Sequence, residues 1–279
     1  MKYIFLSFFI SILFLDVRLN AQPVFLKDKI SSTKPANTSW ADSVLKTLTP
    51  DQRIGQLFMV AAYSNEKSDT SEIKKLIQSY GIGGLIFMQG TPDKQALLTN
   101  YYQAKSKVPL MISIDGEWGL DMRLKNTVAF PRQMTLGALP LVADSLIYLM
   151  GKEIARQCKR IGVHVNFAPV VDVNNNPLNP VISSRSFGEN KNLVARKSLL
   201  YMKGMQDEGV MAVAKHFPGH GDTDADSHKT LPVVSHSKTR LDTLELFPFK
   251  KLFADGVGGV MVAHLYIPCL LYTSDAADE

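Results

Sequence analysis

Short apolar runs recur along the chain, and longer amphipathic stretches separate them. Six runs occur, at residues 56–62 (QLFMVAA), 84–88 (GLIFM), 110–114 (LMISI), 163–173 (VHVNFAPVVDV), 210–214 (VMAVA) and 257–263 (VGGVMVA). Because they are continuously apolar rather than strictly alternating, they predict strands buried on both faces, as in parallel sheets. Repeated units of strand and helix indicate an α/β fold, either a barrel or an open doubly wound sheet.

Two of the intervening stretches have clear helical signals. Residues 145–162 place Leu146, Ile147, Met150, Ile154 and Cys158 at steps of three or four. Asp144 precedes them as a candidate N-cap. Residues 191–208 are followed by Gly209, which is a typical helix stop. The sequence therefore predicts helices over both ranges.

Composition excludes several classes of protein. The chain is 46% hydrophobic and 20% charged with a net charge of +5, which is ordinary for a globular domain and far from a nucleic-acid polyelectrolyte. No glycine-rich nucleotide fingerprint opens a helix, so a dinucleotide-binding fold is disfavoured. Cys158 and Cys269 cannot form a disulfide framework, and Cys158 is expected to be a buried thiol. We expect no nucleic-acid partner.

The two ends of the chain differ from its middle. Residues 1–21 combine Lys2, an apolar run and a small residue at Ala21, which predicts a secretory signal peptide and a periplasmic or secreted bacterial product. Residues 22–38 form a polar leader, and the folded domain is expected at 39–268, with no transmembrane segment after signal removal. The last eleven residues, 269–279, resemble a translated sequencing adapter and are left out of the fold prediction.

Polar residues cluster where three of the apolar runs end. Asp115, Glu117 and Arg123 follow the third run, a charged stretch from Lys215 follows the fifth, and His264 follows the sixth. In α/β barrels the chemistry lies at the carboxyl ends of the strands, so these clusters predict a functional site. A metal hydrolase is one alternative, with ligands drawn from His216, His220, Asp222, Asp224, Asp226 and His228. Their spacing matches no zincin pattern, and we expect no metal.

The run KHFPGHGDTDADSHKTLP at residues 215–232 resembles the signature of glycoside hydrolase family 3, in its β-N-acetylglucosaminidase branch. The resemblance extends over residues 40–268 and includes GIGGLIFM, NFAPVVDV, SRSFG and VMVAH. The segment IDGEWGLDMRL departs from the family's commoner DQEGG pattern but keeps Asp115 and Arg123 in register. The resemblance implies a TIM-type (β/α)8 barrel, truncated here after about the sixth unit.

The resemblance also implies roles for individual residues. His228 matches the catalytic acid/base of this branch and Asp226 its partner, because an imidazole titrates near neutrality and a neighbouring carboxylate can orient it. Ser227 between them faces away in an extended loop, so a serine triad is disfavoured. Matches to sugar-binding positions are Asp115, Arg123, Arg185, Lys215 and His216. Surface ion pairs are an equal alternative for the two arginines from the sequence alone.

Other polar residues receive no catalytic role. His164, His220 and His236 are expected to be structural. The family's nucleophile is an aspartate after the seventh strand, and Asp275 imitates its segment. Only ten residues separate His264 from Ser274, too few for another helix and strand, so Asp275 is not assigned. We expect the nucleophile beyond the authentic sequence.

The implied function is retaining hydrolysis of terminal β-linked N-acetylglucosamine, as a β-N-acetylhexosaminidase acting on a carbohydrate substrate without a cofactor. Peptidoglycan fragments or other aminosugar glycans are the expected source. Alternatives are a β-glucosidase-type family 3 member and a non-catalytic carbohydrate-binding homologue. Related chains continue into a second hydrolase domain, so a further C-terminal domain is possible in a longer form.

Overall fold

The computed structural model describes residues 38–66, 68–224 and 231–271. The strands in this part of the chain are β1 (Met59–Ser64), β2 (Gly84–Gly90), β3 (Met111–Ile114), β4 (Val165–Asn166), β5 (Met211–Phe217) and β6 (Gly259–Val262). They form one sheet in chain order, and every neighbouring pair is parallel. The predicted α/β class and all six strands are confirmed.

Helices connect the strands. They are α1 (Ser39–Thr47), α2 (Pro50–Gly55), α3 (Thr70–Tyr80), α4 (Pro92–Gln103), α5 (Gln133–Gly137), α6 (Ser145–Arg160), α7 (Lys191–Asp207), α8 (Lys238–Thr243), α9 (Leu246–Ala254) and α10 (Pro268–Leu271). Short 3₁₀ turns lie at Leu120–Met122, Leu141–Ala143 and Ser183–Arg185. Within the described residues, none of the helices combines the length and hydrophobicity that a membrane crossing needs.

The core lies between the sheet and its helices. Leu85, Phe87, Ile112 and Ile114 are fully buried. The residues between them are covered as well, since Ile86 is half-buried and Ser113 is buried, as expected for a sheet covered on both faces. Helices α6 and α7 pack closely, because a Cβ at Gly204 would lie 2.2 Å from the carbonyl oxygen of Tyr148. Only glycine permits this backbone approach.

The two outer strands of the described sheet are less covered than the inner ones. Val260 and Val262 on β6 are 43% and 65% exposed, and Leu57 just before β1 is 84% exposed. No pairing between β6 and β1 occurs among the described residues. The sheet is therefore open along both outer strands, where apolar side chains contact solvent.

The local predictions were partly wrong. The run 163–173 forms a strand only at Val165–Asn166, and one reason is that Pro169 has no N–H for a regular ladder. Beyond it the chain still follows β5, since Val171 N donates to Lys215 O at 2.7 Å.

The predicted apolar face of α6 also needs correction. Ile147, Ile154 and Cys158 are fully buried, whereas Leu146 is 54% exposed. Asp144 precedes α6 but makes no capping hydrogen bond. Its carboxylate instead binds Arg196 and the buried Lys197, which outweighs the effect of burial and lowers the Asp144 pKa. The predicted cap is thus an ion-pair residue that joins α6 to α7.

Candidate active site

The predicted sugar-binding residues come together at the carboxyl ends of the strands. Asp115 directly follows β3, and Arg123 lies just after the following 3₁₀ turn. Lys215 and His216 lie near the end of β5, and Arg185 ends the 3₁₀ turn that follows β4. Side-chain contacts connect all five, with Glu117 as the link between Lys215 and Arg185. They and the two buried acids described below are called the charged pocket.

Lys215 lies at the centre of the charged pocket. Its Nζ is 2.5 Å from Asp115 Oδ1 and 2.7 Å from Glu117 Oε1. The Lys215 residue is only 1% exposed, so its charge is available chiefly to these two acids. Its main effect in this structure is to hold two carboxylates at the end of β3 in fixed positions.

Glu117 is a fully buried acid with two cationic partners. Arg185 donates to it through both arms of the guanidinium, from Nε at 2.9 Å and from Nη2 at 2.6 Å. Burial by itself raises the pKa of Glu117, but the charges and hydrogen bonds of Lys215 and Arg185 outweigh it and lower the pKa to about 2. Glu117 is therefore ionised and fixes the direction in which Arg185 points.

Asp115 and Arg123 form a second ion pair at the surface of the pocket. Arg123 Nη2 donates to Asp115 Oδ2 at 2.5 Å, and its Nε donates to the Asp115 backbone oxygen at 3.1 Å. The two side chains are 21% and 18% exposed. The alternative of surface ion pairs for the arginines is thus half correct, since both are ion-paired but at the strand ends that form the pocket.

His216 is held by a buried aspartate. Asp172 is fully buried and accepts from the His216 backbone N–H, and its Oδ2 lies 2.7 Å from His216 Nδ1. It also accepts from the backbone N–H of His220 at 2.7 Å. Burial raises the pKa of Asp172, but His216 and these hydrogen bonds outweigh it and lower the pKa. With Nδ1 as donor to Asp172, Nε2 is left to face Arg185 Nη2 at 3.2 Å.

Part of the charged pocket remains open to a ligand. The side chains of Asp115, Arg123, Arg185 and His216 are between 15% and 21% exposed, whereas Glu117 and Asp172 are inaccessible. The exposed groups comprise a carboxylate acceptor, two guanidinium donors and an imidazole. This set suits the hydroxyl and amide groups of a sugar, and the buried acids keep it rigid.

The roles of Glu117 and Asp172 were not predicted from the sequence. Glu117 is one of several polar residues at a strand end, and Asp172 lies within the apolar run 163–173. A carboxylate inside an otherwise apolar strand segment is a signal for a paired buried acid, because such groups are almost never buried alone. The identity of the partners could not be read from the sequence, since Arg185 is 68 positions from Glu117.

Two of the histidines expected to be structural are placed accordingly. His164 Nδ1 accepts from the backbone N–H of Ile112 at 3.0 Å, and burial lowers its pKa. His220 Nδ1 lies 2.6 Å from Thr223 Oγ1, and burial is also the main cause that lowers its pKa. Both contacts are local to the fold rather than part of the exposed side of the pocket.

The ligands considered for a metal hydrolase do not come together as a group among the described residues. Instead Asp222, His236 and Glu245 offer ligand atoms within 4.8 Å of one another. Arg240 lies against both acids, with Nε 3.2 Å from Glu245 Oε1 and Nη2 3.5 Å from Asp222 Oδ2, and His236 bonds Asp222 directly. Arg240 thus pairs with both carboxylates, which makes the group an ion-pair network.

Several predicted residues lie elsewhere. Asp226, His228 and Asp275 are outside the described residues, so their roles stay predictions, as does the signal peptide at 1–21. His264 is described, but it is exposed and makes none of the contacts reported above for the charged pocket. The third strand-end cluster therefore does not contribute to the pocket contacts.

The arrangement of strands and strand-end charges agrees with comparisons to known proteins. The family model for the glycosyl hydrolase family 3 N terminal domain matches residues 49–274. The chain belongs to this family. Family 3 N-terminal domains are TIM-barrel-like, and the six parallel strands in chain order agree with that architecture.

Individual family 3 relatives give the same result. Beta-hexosaminidase A of Pseudoalteromonas piscicida is 36% identical over 249 residues, which cover 80% of this chain and 42% of the relative. A solved family 3 β-N-acetylglucosaminidase from Paenibacillus sp. str. FPU-7 is 42% identical with a TM-score of 0.73, covering 80% of this chain and 43% of that one. NagZ from Neisseria gonorrhoeae, in complex with N-trifluoroacetyl-D-glucosamine, is 30% identical with a TM-score of 0.69 and coverages of 76% and 64%. The chain thus spans less than two thirds of the length of each of these family 3 proteins.

Proposed function

We propose that this protein is a retaining glycosidase that releases terminal β-linked N-acetylglucosamine. The observation that carries the proposal is the charged pocket, in which buried acids fix four partly exposed polar groups at the ends of β3 and β5. Two of these relatives are a beta-hexosaminidase and a β-N-acetylglucosaminidase, and a third is bound to an N-acylated glucosamine. These relatives support an aminosugar over glucose.

Each exposed group of the pocket has a use in sugar binding. Asp115 can accept two hydroxyl hydrogens, while Arg123 and Arg185 donate to hydroxyl or amide oxygens with a fixed fork geometry. His216 Nε2 can exchange its contact with Arg185 for a sugar hydroxyl. Because the ion pairs exist before the sugar arrives, little side-chain entropy is lost on binding.

The bond-breaking step is assigned to His228 and Asp226 from the sequence. His228 in its protonated form donates a proton to the glycosidic oxygen while a carboxylate attacks the anomeric carbon and forms a glycosyl ester. The same imidazole then takes a proton from water, which attacks the ester and regenerates the carboxylate. Asp226 orients the ring and stabilises its charged form.

The nucleophilic carboxylate is not assigned to a residue. Among the described residues, Glu117 and Asp172 are buried and Asp115 is bound to two cations, so none of these pocket acids is free to attack. A fluorinated N-acetylglucosaminyl fluoride, which forms a long-lived ester, followed by peptide mass spectrometry would locate the attacking residue. Labelling of Asp115 or Glu117 would contradict this assignment of roles.

The experiment that tests the proposed function is a pair of chromogenic substrates, given to the longer chain that carries the nucleophile expected beyond this sequence. We expect para-nitrophenyl β-N-acetylglucosaminide to be cleaved and the matching β-glucoside to be cleaved at least about tenfold more slowly. The reason is that protein groups that bind the amide of the aminosugar have no partner on a glucoside. Lys238→Ala, an exposed substitution, serves as the folded control for His228→Ala. A preference for the glucoside would favour the β-glucosidase alternative, and sugar binding without cleavage would favour a binding protein.

Localisation and substrate source are part of the proposal. The signal-like residues 1–21 support an enzyme that acts in the periplasm or outside the cell, where peptidoglycan fragments supply aminosugar glycosides. Cell fractionation with an antibody against the domain tests this directly. Recovery of the protein in the cytoplasm with residue 1 retained would contradict it.

A further inference from the structure

An arginine at the rim of the charged pocket has no acidic partner among the residues that the structure describes. Arg132 is exposed, and its guanidinium carbon lies 4.4 Å from the centre of the Trp118 ring, a cation–π distance. Its Nη1 donates to Ser184 Oγ at 3.0 Å. In the part of the chain that the structure describes, these are the side-chain contacts of Arg132, and neither partner is charged.

The residues around Arg132 attach it to the charged pocket. Phe130 N donates to Trp118 O at 3.1 Å, and the buried amide of Gln133 donates to Glu117 O at 3.0 Å. Arg132 lies between these two anchors in the sequence. Its hydroxyl partner, Ser184, directly precedes Arg185. Trp118 directly follows Glu117 in the same way. The Trp118–Arg132 stack therefore lies beside the Glu117–Arg185 ion pair on both of its chain segments.

Arg132 differs in this respect from the other two arginines of the region. Arg123 pairs with Asp115, and Arg185 pairs with Glu117, so their charges are already balanced. Arg132 is held in place by a ring and a hydroxyl, which restrict its movement, and no described acid compensates its positive charge. A guanidinium prepared in this way is suited to a planar carboxylate, which it can bind through two parallel hydrogen bonds.

We propose that the Trp118–Arg132 stack is a subsite for a carboxylate carried by the sugar on the leaving-group side of the scissile bond. The inference rests on the proposed function, because the terminal N-acetylglucosamine that occupies the charged pocket has no anionic group. A carboxylate that reaches Arg132 must therefore belong to the next unit of the substrate. The chemistry fits both a lactyl ether carboxylate and a uronic acid.

The test compares acidic disaccharides with uncharged counterparts. One arm uses N-acetylglucosamine β-linked to N-acetylmuramic acid, and the other uses N-acetylglucosamine β-linked to glucuronic acid. Each acid is paired with its own primary amide, which removes the charge and keeps the size. The measured quantity is the ratio of kcat/KM for the acid to kcat/KM for the amide.

We expect the wild-type protein to favour the acid about five- to tenfold in at least one arm, and this ratio to fall towards one in Arg132→Leu, as for a single exposed charge-assisted pair. Arg53→Leu removes an exposed arginine from α2, before β1, and should keep the wild-type ratio. Added salt should lower the wild-type ratio, since salt screens exposed charges. The arm that shows the preference identifies the source of the carboxylate.

Two failures can be told apart. Cleavage of both amides with a wild-type ratio near one in both arms, or an Arg132→Leu ratio equal to wild type, would overturn the subsite and leave the proposed function standing. No cleavage of any of the four disaccharides or of para-nitrophenyl β-N-acetylglucosaminide by the folded longer chain, which carries the nucleophile, would overturn both. If Arg132→Leu does not fold, Arg132→Gln, which removes the charge and keeps a polar side chain, takes its place with the same expected loss of the ratio.

Discussion

Replacement of Glu117 by glutamine removes the buried negative charge on which the pocket depends. The Glu117 carboxylate lies 2.7 Å from Lys215 Nζ and accepts two hydrogen bonds from Arg185. Glutamine keeps the shape and one acceptor oxygen, but its amide nitrogen would face a cationic donor. Lys215 and Arg185, which are both largely buried, would then have only Asp115 and Asp172 as negative charges nearby. The loss of the Glu117 charge therefore makes the folded state less stable.

The size of the effect follows from the pKa of Glu117. The pKa falls from 4.5 to about 2 on folding, and this difference corresponds to ~3 kcal/mol of stability near neutral pH. Stabilisation by a group whose pKa is lowered on folding is fully present above about pH 4.5 and is lost as the pH falls towards 2. At about pH 3, about 1 to 2 kcal/mol of this stabilisation remains. Removal of one partner of a buried ion pair typically lowers stability by ~3–5 kcal/mol, which is of the same order as the value from the pKa.

The assay is denaturant unfolding of wild type and Glu117→Gln, followed by circular dichroism between about pH 3 and neutral pH. Glu72→Gln on α3 is the matched control, because Glu72 is exposed. We expect the variant to be less stable by ~3 kcal/mol at neutral pH and the gap to narrow by about half at about pH 3. A difference in the free energy of unfolding that is constant over this pH range, or no larger than that of Glu72→Gln, would show that the Glu117 charge does not stabilise the fold.

Three further predictions concern catalysis, positioning and reactivity. His228→Ala should depress turnover severely with an aryl glycoside of poor leaving ability and less with an activated one, and equal losses on both would remove the acid role. Asp172→Asn should raise KM about tenfold or more, because His216 loses the partner that orients it, and an unchanged KM in a folded variant would contradict this. Burial raises the pKa of Cys158 to about 12, so iodoacetamide should modify it only in denaturant, as peptide mass spectrometry would show. Modification of Cys158 in the folded protein at neutral pH would contradict its burial.

Most of the fold could be predicted from hydrophobic pattern alone. The six apolar runs each contain a strand, because a sheet covered on both faces requires continuous apolar segments. The helix that begins at Ser145 and the one that ends before Gly209 were also located within a residue or two. The length of β4 was not predictable from hydrophobicity, since it depends on where Pro169 falls.

The site was predicted less completely. Asp115, Arg123, Arg185, Lys215 and His216 were placed by resemblance to a family, and the structure brings these five together. The pairing among them depends on tertiary contacts across as many as 100 positions, as for Lys215 and Asp115. No local pattern encodes such a contact.

Two acids show where local patterns fail. Asp144 satisfies the sequence rule for a helix cap, yet two cations on α7 attract its carboxylate more strongly. Glu117 looks like one more polar residue at a strand end, yet it is fully buried between two cations. In both cases the partner, rather than the residue type, determines the role.

Binding of an aminosugar to the charged pocket can be measured by calorimetric titration of the protein with a thioglycoside of β-N-acetylglucosamine, which binds without being cleaved. We expect saturable binding by wild type and by Asp121→Asn, an exposed control on the 3₁₀ turn Leu120–Met122 that follows Asp115. We also expect at least about tenfold weaker binding by Asp115→Asn, whose acceptor oxygens contact the sugar. Equal affinity of wild type and Asp115→Asn, or no binding by folded wild type, would contradict sugar binding by the charged pocket.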